Sequence, residues 1–255
     1  MKIKLFNKKD IINLQIANRF NYICSLFYCM KKFVILITFI CVTTTSKSQI
    51  HEIGFLIGGS NYIGDIGSEY YINPNNIMGG FIYKWNKNPR VALRSSFTYS
   101  KISADDKYAT NSARVNRNIH FNNSIKELAL GLEFNFFEYN IGDYRHTHTP
   151  YLLLEIAAYN YNVVENESPS GNYNYGSKTS FALPFGLGYK TKLIHDFAIS
   201  FEARARYTFN DQLDYNNQNI NSLTFGNPNS NDWYIFTGIS IVYTFGRPPC
   251  YATPY

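Results

Sequence analysis

Eight segments of the chain alternate apolar and polar residues with a period of two. The clearest is 197–209, which carries Phe201 and Tyr207 on one face and Glu202 and Arg204 on the other. Successive side chains of a β-strand point to opposite faces, so this pattern predicts strands that each have one apolar face. The eight predicted strands are 52–60, 79–85, 91–100, 126–136, 151–161, 181–190, 197–209 and 233–246.

The connections between these strands alternate in length. Those after the odd strands are long and rich in Asn, Ser, Gly and Asp: 61–78, 101–124, 162–179 and 210–232. Those after the even strands are shorter: 86–90, 137–150 and 191–196. Long extracellular loops and short periplasmic turns are typical of outer-membrane β-barrels, and an even strand number places both termini in the periplasm.

The pattern therefore predicts an all-β fold, an eight-stranded antiparallel transmembrane up-and-down β-barrel over residues 49–246, located in the outer membrane. A soluble eight-stranded sandwich is the alternative, because its strands also alternate. The segment 197–209 is 13 residues long. That length suits a tilted membrane-spanning strand, which needs ~9–11 residues, better than a soluble strand of ~5–6. Aromatic residues make up 17% of the chain, which favours the barrel because its two rims carry aromatic girdles.

The N-terminal region has the layout of an export signal. Met30 is followed by two lysines, by an apolar run over 33–42 and by small residues up to Ser48. This order of a basic, an apolar and a small-residue stretch predicts a signal peptide over 30–48. We predict that translation begins at Met30 and that 1–29 do not belong to the natural protein; a translated extension is the alternative.

The net charge changes once this leader is set aside. The whole chain is at +6, but residues 1–48 hold eight of its 24 Lys and Arg and one of its 18 acids, so the part from Gln49 onward is near −1. Nucleic-acid binding depends on a basic surface, so the sequence argues against a nucleic-acid partner. Only Cys250 remains beyond the leader, which excludes an internal disulfide there.

Charged residues recur on the polar faces of the predicted strands. The nine are Glu52, Lys84, Arg94, Glu127, Glu133, Glu155, Glu202, Arg204 and Arg206. An eight-stranded barrel has an interior just wide enough for side chains, and unpaired charges buried there would cost several kcal/mol. We therefore predict a filled, charged lumen in which the nine pair with one another. A proton or ion path through the same residues is the alternative.

Other residues that could carry chemistry lack a supporting arrangement. His146 and His148 lie in a predicted periplasmic turn, and no spacing supplies the three or four ligands of a metal site. His120 lies in a predicted extracellular loop with Ser112 and Ser124 nearby in sequence, but nothing orders them as a catalytic triad. We predict no enzymatic activity, no cofactor and no metal.

A short tail, 247–255, follows the last strand. It begins with Arg247, Pro248, Pro249, Cys250 and Tyr251, and its prolines keep it extended. We predict a periplasmic tail that docks to a partner; an inert chain end is the alternative.

Two strings in the chain are distinctive. They are HEIGFLIGGSNYIGDIG at 51–67 and YTFGRPPCYA at 243–252, with weaker support from 71–74, 83–86, 121–128 and 131–137. Together they resemble the PorG family of Bacteroidetes outer-membrane proteins, over roughly 49–252.

The resemblance implies a function that the periodicity does not. PorG-like barrels are components of the type IX protein secretion machinery, where they tie a periplasmic ring of the PorK lipoprotein and PorN to the outer membrane. The implied partners are therefore outer-membrane lipid and the ring lipoprotein, and the family offers no catalytic residues. The alternative is a small pore or a surface-binding barrel unrelated to secretion, in which the loops 101–124 and 210–232 would hold the recognition residues.

Overall fold

A computed structural model describes residues 50–139, 147–169, 171–194, 196–227 and 230–246. The predicted leader and tail lie outside these residues. The described chain forms one closed antiparallel barrel in which each strand pairs with its neighbours in sequence and the last pairs with the first. The strands are β1 (Ile50–Ile63), β2 (Asn76–Asn88), β3 (Val91–Asp105), β4 (His120–Asn135), β5 (His148–Glu167), β6 (Tyr173–Ile194), β7 (Phe197–Thr208) and β8 (Trp233–Gly246).

The predicted all-β barrel of eight antiparallel strands is confirmed, since each predicted segment corresponds to one strand. The predicted long connection 162–179 is wrong, because β5 continues to Glu167 and β6 begins at Tyr173. Both faces of this hairpin carry polar residues, so its hydrogen-bonded ladder continues where the apolar alternation has ended. At Pro184 the pairing of β6 with β5 is interrupted. A proline lacks the N–H that the ladder needs.

The remaining connections after odd strands are long loops with little regular structure. The loop between β3 and β4 holds a 3₁₀ turn, Asp106–Tyr108, and a short helix α1, Ser112–Arg117. The loop between β7 and β8 holds a second 3₁₀ turn, Asn221–Leu223. Among the described residues, no helix has the length and apolar character needed to cross a membrane. We call the end of the barrel that carries these long loops the loop end, and the opposite end the terminal end.

The outer face of the barrel is apolar along every strand. Large apolar side chains are exposed on it, among them Ile53, Phe55, Ile57, Phe81, Leu93, Phe97, Leu128, Leu130, Leu132, Leu152, Leu154, Ile156, Leu183, Phe185, Leu187, Phe201, Ile239 and Ile241. The alternate residues of the same strands point inward and are buried. The burial therefore follows the period of two in the sequence.

The interior has two parts. Toward the loop end it is largely aromatic and apolar, built from Tyr62, Phe121, Tyr159, Tyr161, Tyr234 and Phe236. Ile66 and Leu213, from the loops after β1 and β7, are fully buried in the same cluster, so the loops fold into this mouth of the barrel. The middle and the terminal end hold buried charged side chains instead.

Candidate functional site

Glu133 is the centre of the ion pairs nearest the terminal end. Its carboxylate lies 2.8 Å from Lys84 Nζ, 2.5 Å from Lys190 Nζ and 3.6 Å from an Arg94 nitrogen. Lys84 also lies 3.9 Å from Glu52. Three cations thus surround one carboxylate, because β2, β3 and β6 each place an inward-facing basic residue next to Glu133.

Arg94 joins this group to the middle of the barrel. Its two terminal nitrogens donate to both oxygens of Glu202, at 2.8 and 2.9 Å, and its Nε lies 3.7 Å from Glu155. Tyr151 also donates its hydroxyl to Glu202, at 2.8 Å. Arg204 completes the layer, with Nη1 3.2 Å from Glu155 and Nε 3.0 Å from Glu202. Such forked arginine–carboxylate contacts fix geometry as well as charge.

Glu127 and Arg206 form a separate pair nearer the loop end. Arg206 donates through Nε and Nη2 to the two oxygens of Glu127, both at 3.1 Å. Tyr234 donates its hydroxyl to the same carboxylate at 2.7 Å. The guanidinium also lies 3.8 Å from the centre of the Phe236 ring and donates to the carbonyl of Arg204 at 2.9 Å. Both oxygens of Glu127 and all three side-chain nitrogens of Arg206 therefore have hydrogen-bond partners.

All nine predicted lumen residues lie inside the barrel and are buried. A tenth buried charge, Lys190, was not predicted, although it alternates in phase with the inward residues of β6 and is 2% exposed. With Lys190 the inward-facing positions of the described strands hold five buried acids and five buried bases. Their signs balance, as burial in a narrow interior requires.

The loop end carries a second set of buried charges around Asp106. This carboxylate accepts hydrogen bonds from Arg117 at 2.8 and 3.1 Å and from the backbone N–H groups of Gly67 and Ile119 at 2.9 and 3.1 Å. Burial alone would raise the pKa of Asp106, but these hydrogen bonds outweigh it and hold the pKa below its usual range. Asp106 thereby joins the loop after β1 to the loop after β3.

A carboxylate cluster with raised pKa values lies in the loop between β7 and β8. The Tyr62 hydroxyl contacts both Asp214, at 3.0 Å, and Asp232. Burial raises the pKa of Asp214 to about 6, and it raises that of Asp232 well above its usual range. Burial, reinforced by the charges of Asp214 and Asp65, raises the pKa of Asp211 to about 7. Across the described part of the chain, no group of three or more His, Cys, Asp or Glu is arranged to hold a metal ion.

The other predicted candidates that the structure describes are not gathered into one site. His146 and the tail residues Arg247–Tyr251 lie outside the described residues. His148 begins β5, where its ring stacks on Tyr189 with centres 6.0 Å apart. His120 lines a cavity of about 600 Å³ whose lining includes neither Ser112 nor Ser124.

A family model described as a domain of unknown function, DUF6089, matches residues 31–254. The chain belongs to the DUF6089 family. The match covers every strand of the barrel. No protein with a curated description is significantly similar to this DUF6089 chain in sequence.

Solved outer-membrane proteins are similar to this DUF6089 chain in structure. Ail, the attachment invasion locus protein of Yersinia pestis, is 14% identical, with a TM-score of 0.42, over 78% of this chain and 100% of Ail. Neisserial surface protein A is 12% identical, with a TM-score of 0.42, over 78% and 98%. The N-terminal β-barrel domain of Pseudomonas aeruginosa OprF is 13% identical, with a TM-score of 0.40, over 78% and 98%. These likenesses are too distant to transfer any property of those proteins to this chain.

Proposed function

We propose that this chain is a non-enzymatic barrel of the outer membrane, in which all eight strands cross the lipid. The observation that carries the proposal is the distribution of polarity: exposed Leu, Ile and Phe ring the outside, while ten charged side chains of the described strands lie inside. A water-soluble domain rarely exposes a continuous apolar surface of this extent. In a bilayer the same surface contacts lipid, and barrel closure satisfies every strand edge.

The aromatic residues support this placement. At the terminal end the outer face carries Tyr83, Trp85, Tyr189, Phe197, Tyr243 and Phe245. Toward the loop end it carries Tyr99, Phe181, Tyr207, Phe209 and Trp233. Two such girdles are typical of the two interfaces of an outer-membrane barrel. With long loops outside the cell, both termini lie in the periplasm.

The filled interior favours a structural role over a pore. The ion pairs of Arg94 with Glu155 and Glu202 and the Glu127–Arg206 pair occupy the middle of the barrel, and aromatic side chains fill the loop end. Ions would have to break these buried contacts in order to pass, which costs several kcal/mol per exposed charge. A barrel of this kind provides a stable anchor in the lipid.

We propose further that the anchored structure is the periplasmic PorK/PorN-type ring of the type IX secretion machinery. The support is the resemblance of 51–67 and 243–252 to the PorG family. The first string includes most of β1 and the second begins in β8, and these two strands pair along their length. In the proposed orientation the second string continues from the membrane into the periplasm, where the tail Arg247–Tyr251 can contact the ring lipoprotein.

Chemical crosslinking in cells of the source bacterium tests this role. The tagged protein should capture the ring lipoprotein, identified by mass spectrometry. A variant in which 247–251 are replaced by Gly and Ser should lose most of this crosslink while it still migrates as a folded barrel on unboiled gels. As a control, the same replacement at 112–116, in the loop after β3, should leave the crosslink unchanged. Failure of the wild-type protein to crosslink to any ring component would refute the secretion role but not the barrel.

A surface-binding barrel unrelated to secretion is the second candidate. The observation that favours it is a pair of cavities among the long loops, lined by exposed tyrosine and asparagine side chains. In that case crosslinks would form through the loop end, and replacement of the tail would have no effect.

A further inference from the structure

A cavity of about 340 Å³ opens at the loop end of the barrel. It lies between the loop after β1 and the last residues of β3. Its polar and aromatic lining includes Asn61, Ser68, Tyr70, Asn73, Asn75 and Tyr108. The volume is that of a small-ligand site, which typically measures ~300–1,000 Å³.

The chemistry of this lining disfavours an anionic ligand and suits an uncharged one. Among the described residues, no Lys or Arg lines the cavity, and Asp105 is the one charged lining residue, with Oδ1 accepting a hydrogen bond from the Lys107 backbone N–H at 2.9 Å. The remaining polar groups are amides and hydroxyls, which both donate and accept hydrogen bonds. These groups match a ligand that carries many hydroxyls and no charge.

Two tyrosines supply flat surfaces at this site. Tyr70 is 63% exposed and Tyr108 is 69% exposed, and both line the cavity. A tyrosine ring presents an apolar face beside a polar hydroxyl, so it suits ligands that are apolar on one side and hydrogen-bonding on the other. Sugar rings have this character, with C–H groups on their faces and hydroxyls around their edges.

Asn61 provides a hydrogen-bond acceptor without a partner. Its side chain is 3% exposed, and its Nδ2 donates to the Tyr71 carbonyl at 3.0 Å. Its Oδ1 is buried and accepts no hydrogen bond from any described residue. Buried side-chain oxygens are nearly always paired, so this one is a candidate acceptor for a ligand hydroxyl, which reaches it once the Asn61 side chain turns toward the cavity.

One flank of the cavity, the loop segment just before the lining residue Ser68, is held in place before any ligand binds. Arg114 of α1 donates to the Gly67 and Gly64 carbonyls at 2.9 and 3.0 Å, and Arg117 donates to the Asp65 carbonyl at 2.7 Å. These contacts fix the first half of the loop after β1. A site that is already ordered loses less conformational entropy on binding.

We propose that this cavity binds a short, uncharged oligosaccharide. Asn61 accepts a sugar hydroxyl, while Tyr70 and Tyr108 pack against sugar rings. The chemistry stands without the secretion role, and the exposure of the site to the outside of the cell rests on the membrane orientation proposed above. Such a saccharide has two sources, the O-chain of the bacterium's own lipopolysaccharide and glycans from its surroundings.

Titration calorimetry on the purified full-length protein in detergent tests the proposal. The probes are cellotetraose, maltotetraose and chitotetraose for external glycans, and the lipid-free O-chain of the source bacterium. At least one probe should bind, and either source supports the proposal. Tyr70→Ala and Tyr108→Ala should each weaken binding about threefold to tenfold, the range expected for loss of one aromatic contact. Gel mobility before boiling verifies that each variant is folded.

Tyr71→Ala is the matched control. Tyr71 is 75% exposed and adjacent to Tyr70, but its side chain does not line the cavity. It should bind like the wild type, since Asn61 contacts only its backbone carbonyl. The proposal is overturned if no probe binds, if Tyr71→Ala weakens binding as much as Tyr70→Ala, or if sulfated cellotetraose binds more tightly than the neutral form.

Discussion

Replacing Arg206 with methionine is expected to lower the free energy of unfolding by about 3–5 kcal/mol, the usual cost of breaking a buried ion pair by removing one partner. Arg206 is the only described cation within ion-pair distance of Glu127. Methionine fills part of the space that the guanidinium occupies over the Phe236 ring but leaves the carboxylate buried with one hydrogen bond, from Tyr234. Urea unfolding of the refolded barrel in lipid vesicles measures the loss.

The double variant Arg206→Met with Glu127→Gln separates charge from packing. Removing both charges should recover a substantial part of the lost stability, because a neutral amide still bonds to Tyr234 and no longer needs a cation. Phe201→Leu, on the outer face of the same strand as Arg206, should change stability little. If Arg206→Met unfolds like the wild type while Phe201→Leu collapses, the assignment of inner and outer faces is reversed.

Replacing Leu132 with arginine is expected to cost about 2–4 kcal/mol in a bilayer, the penalty for a charge on the lipid face near the midplane of a barrel. Leu132 is 50% exposed and lies between Leu93 of β3 and Leu154 of β5, which are exposed on the same face. On a protein surface in water, the same substitution typically changes stability by no more than about 0.5 kcal/mol. The size of the stability loss therefore shows whether the outer surface of the barrel contacts lipid or water.

Val115→Arg is the control for this charge. Val115 is exposed on α1 in the loop after β3, away from the apolar band, and should tolerate arginine within about 0.5 kcal/mol. Unfolding in vesicles compares the two variants. Equal, small losses at positions 115 and 132 would show that the apolar band does not face lipid.

The sequence predicted the strands because a strand with one lipid-facing side has to alternate. The segment 197–209 coincides with β7 (Phe197–Thr208) almost residue for residue for that reason. The same signal failed beyond Tyr161, where β5 continues with polar residues on both faces. Where the pattern of apolar residues ends, only the backbone ladder marks the strand, and the sequence does not reveal it.

The inward charges were predictable, but their partners were not. Glu202 and Arg204 lie two residues apart on one strand and do meet, yet Glu202 receives its two-pronged contact from Arg94, 108 residues away. Contacts across the lumen depend on the tilt and stagger of the closed barrel, which alternation does not encode. The contact of Tyr62 with Asp232 at the loop end escaped prediction for the same reason, since folded loops create it.

The most direct test of the membrane-spanning barrel is cysteine labelling in intact cells with a membrane-impermeant maleimide. In a background in which Cys24, Cys29, Cys41 and Cys250 are replaced with serine, Val115→Cys and Leu132→Cys replace one exposed residue each, in the loop after β3 and in the apolar band. We expect Val115→Cys to be labelled in intact cells, and Leu132→Cys to be labelled only after the protein is boiled in detergent. Labelling of native Leu132→Cys in cells or lysates would show that the band lies in water and would contradict the account.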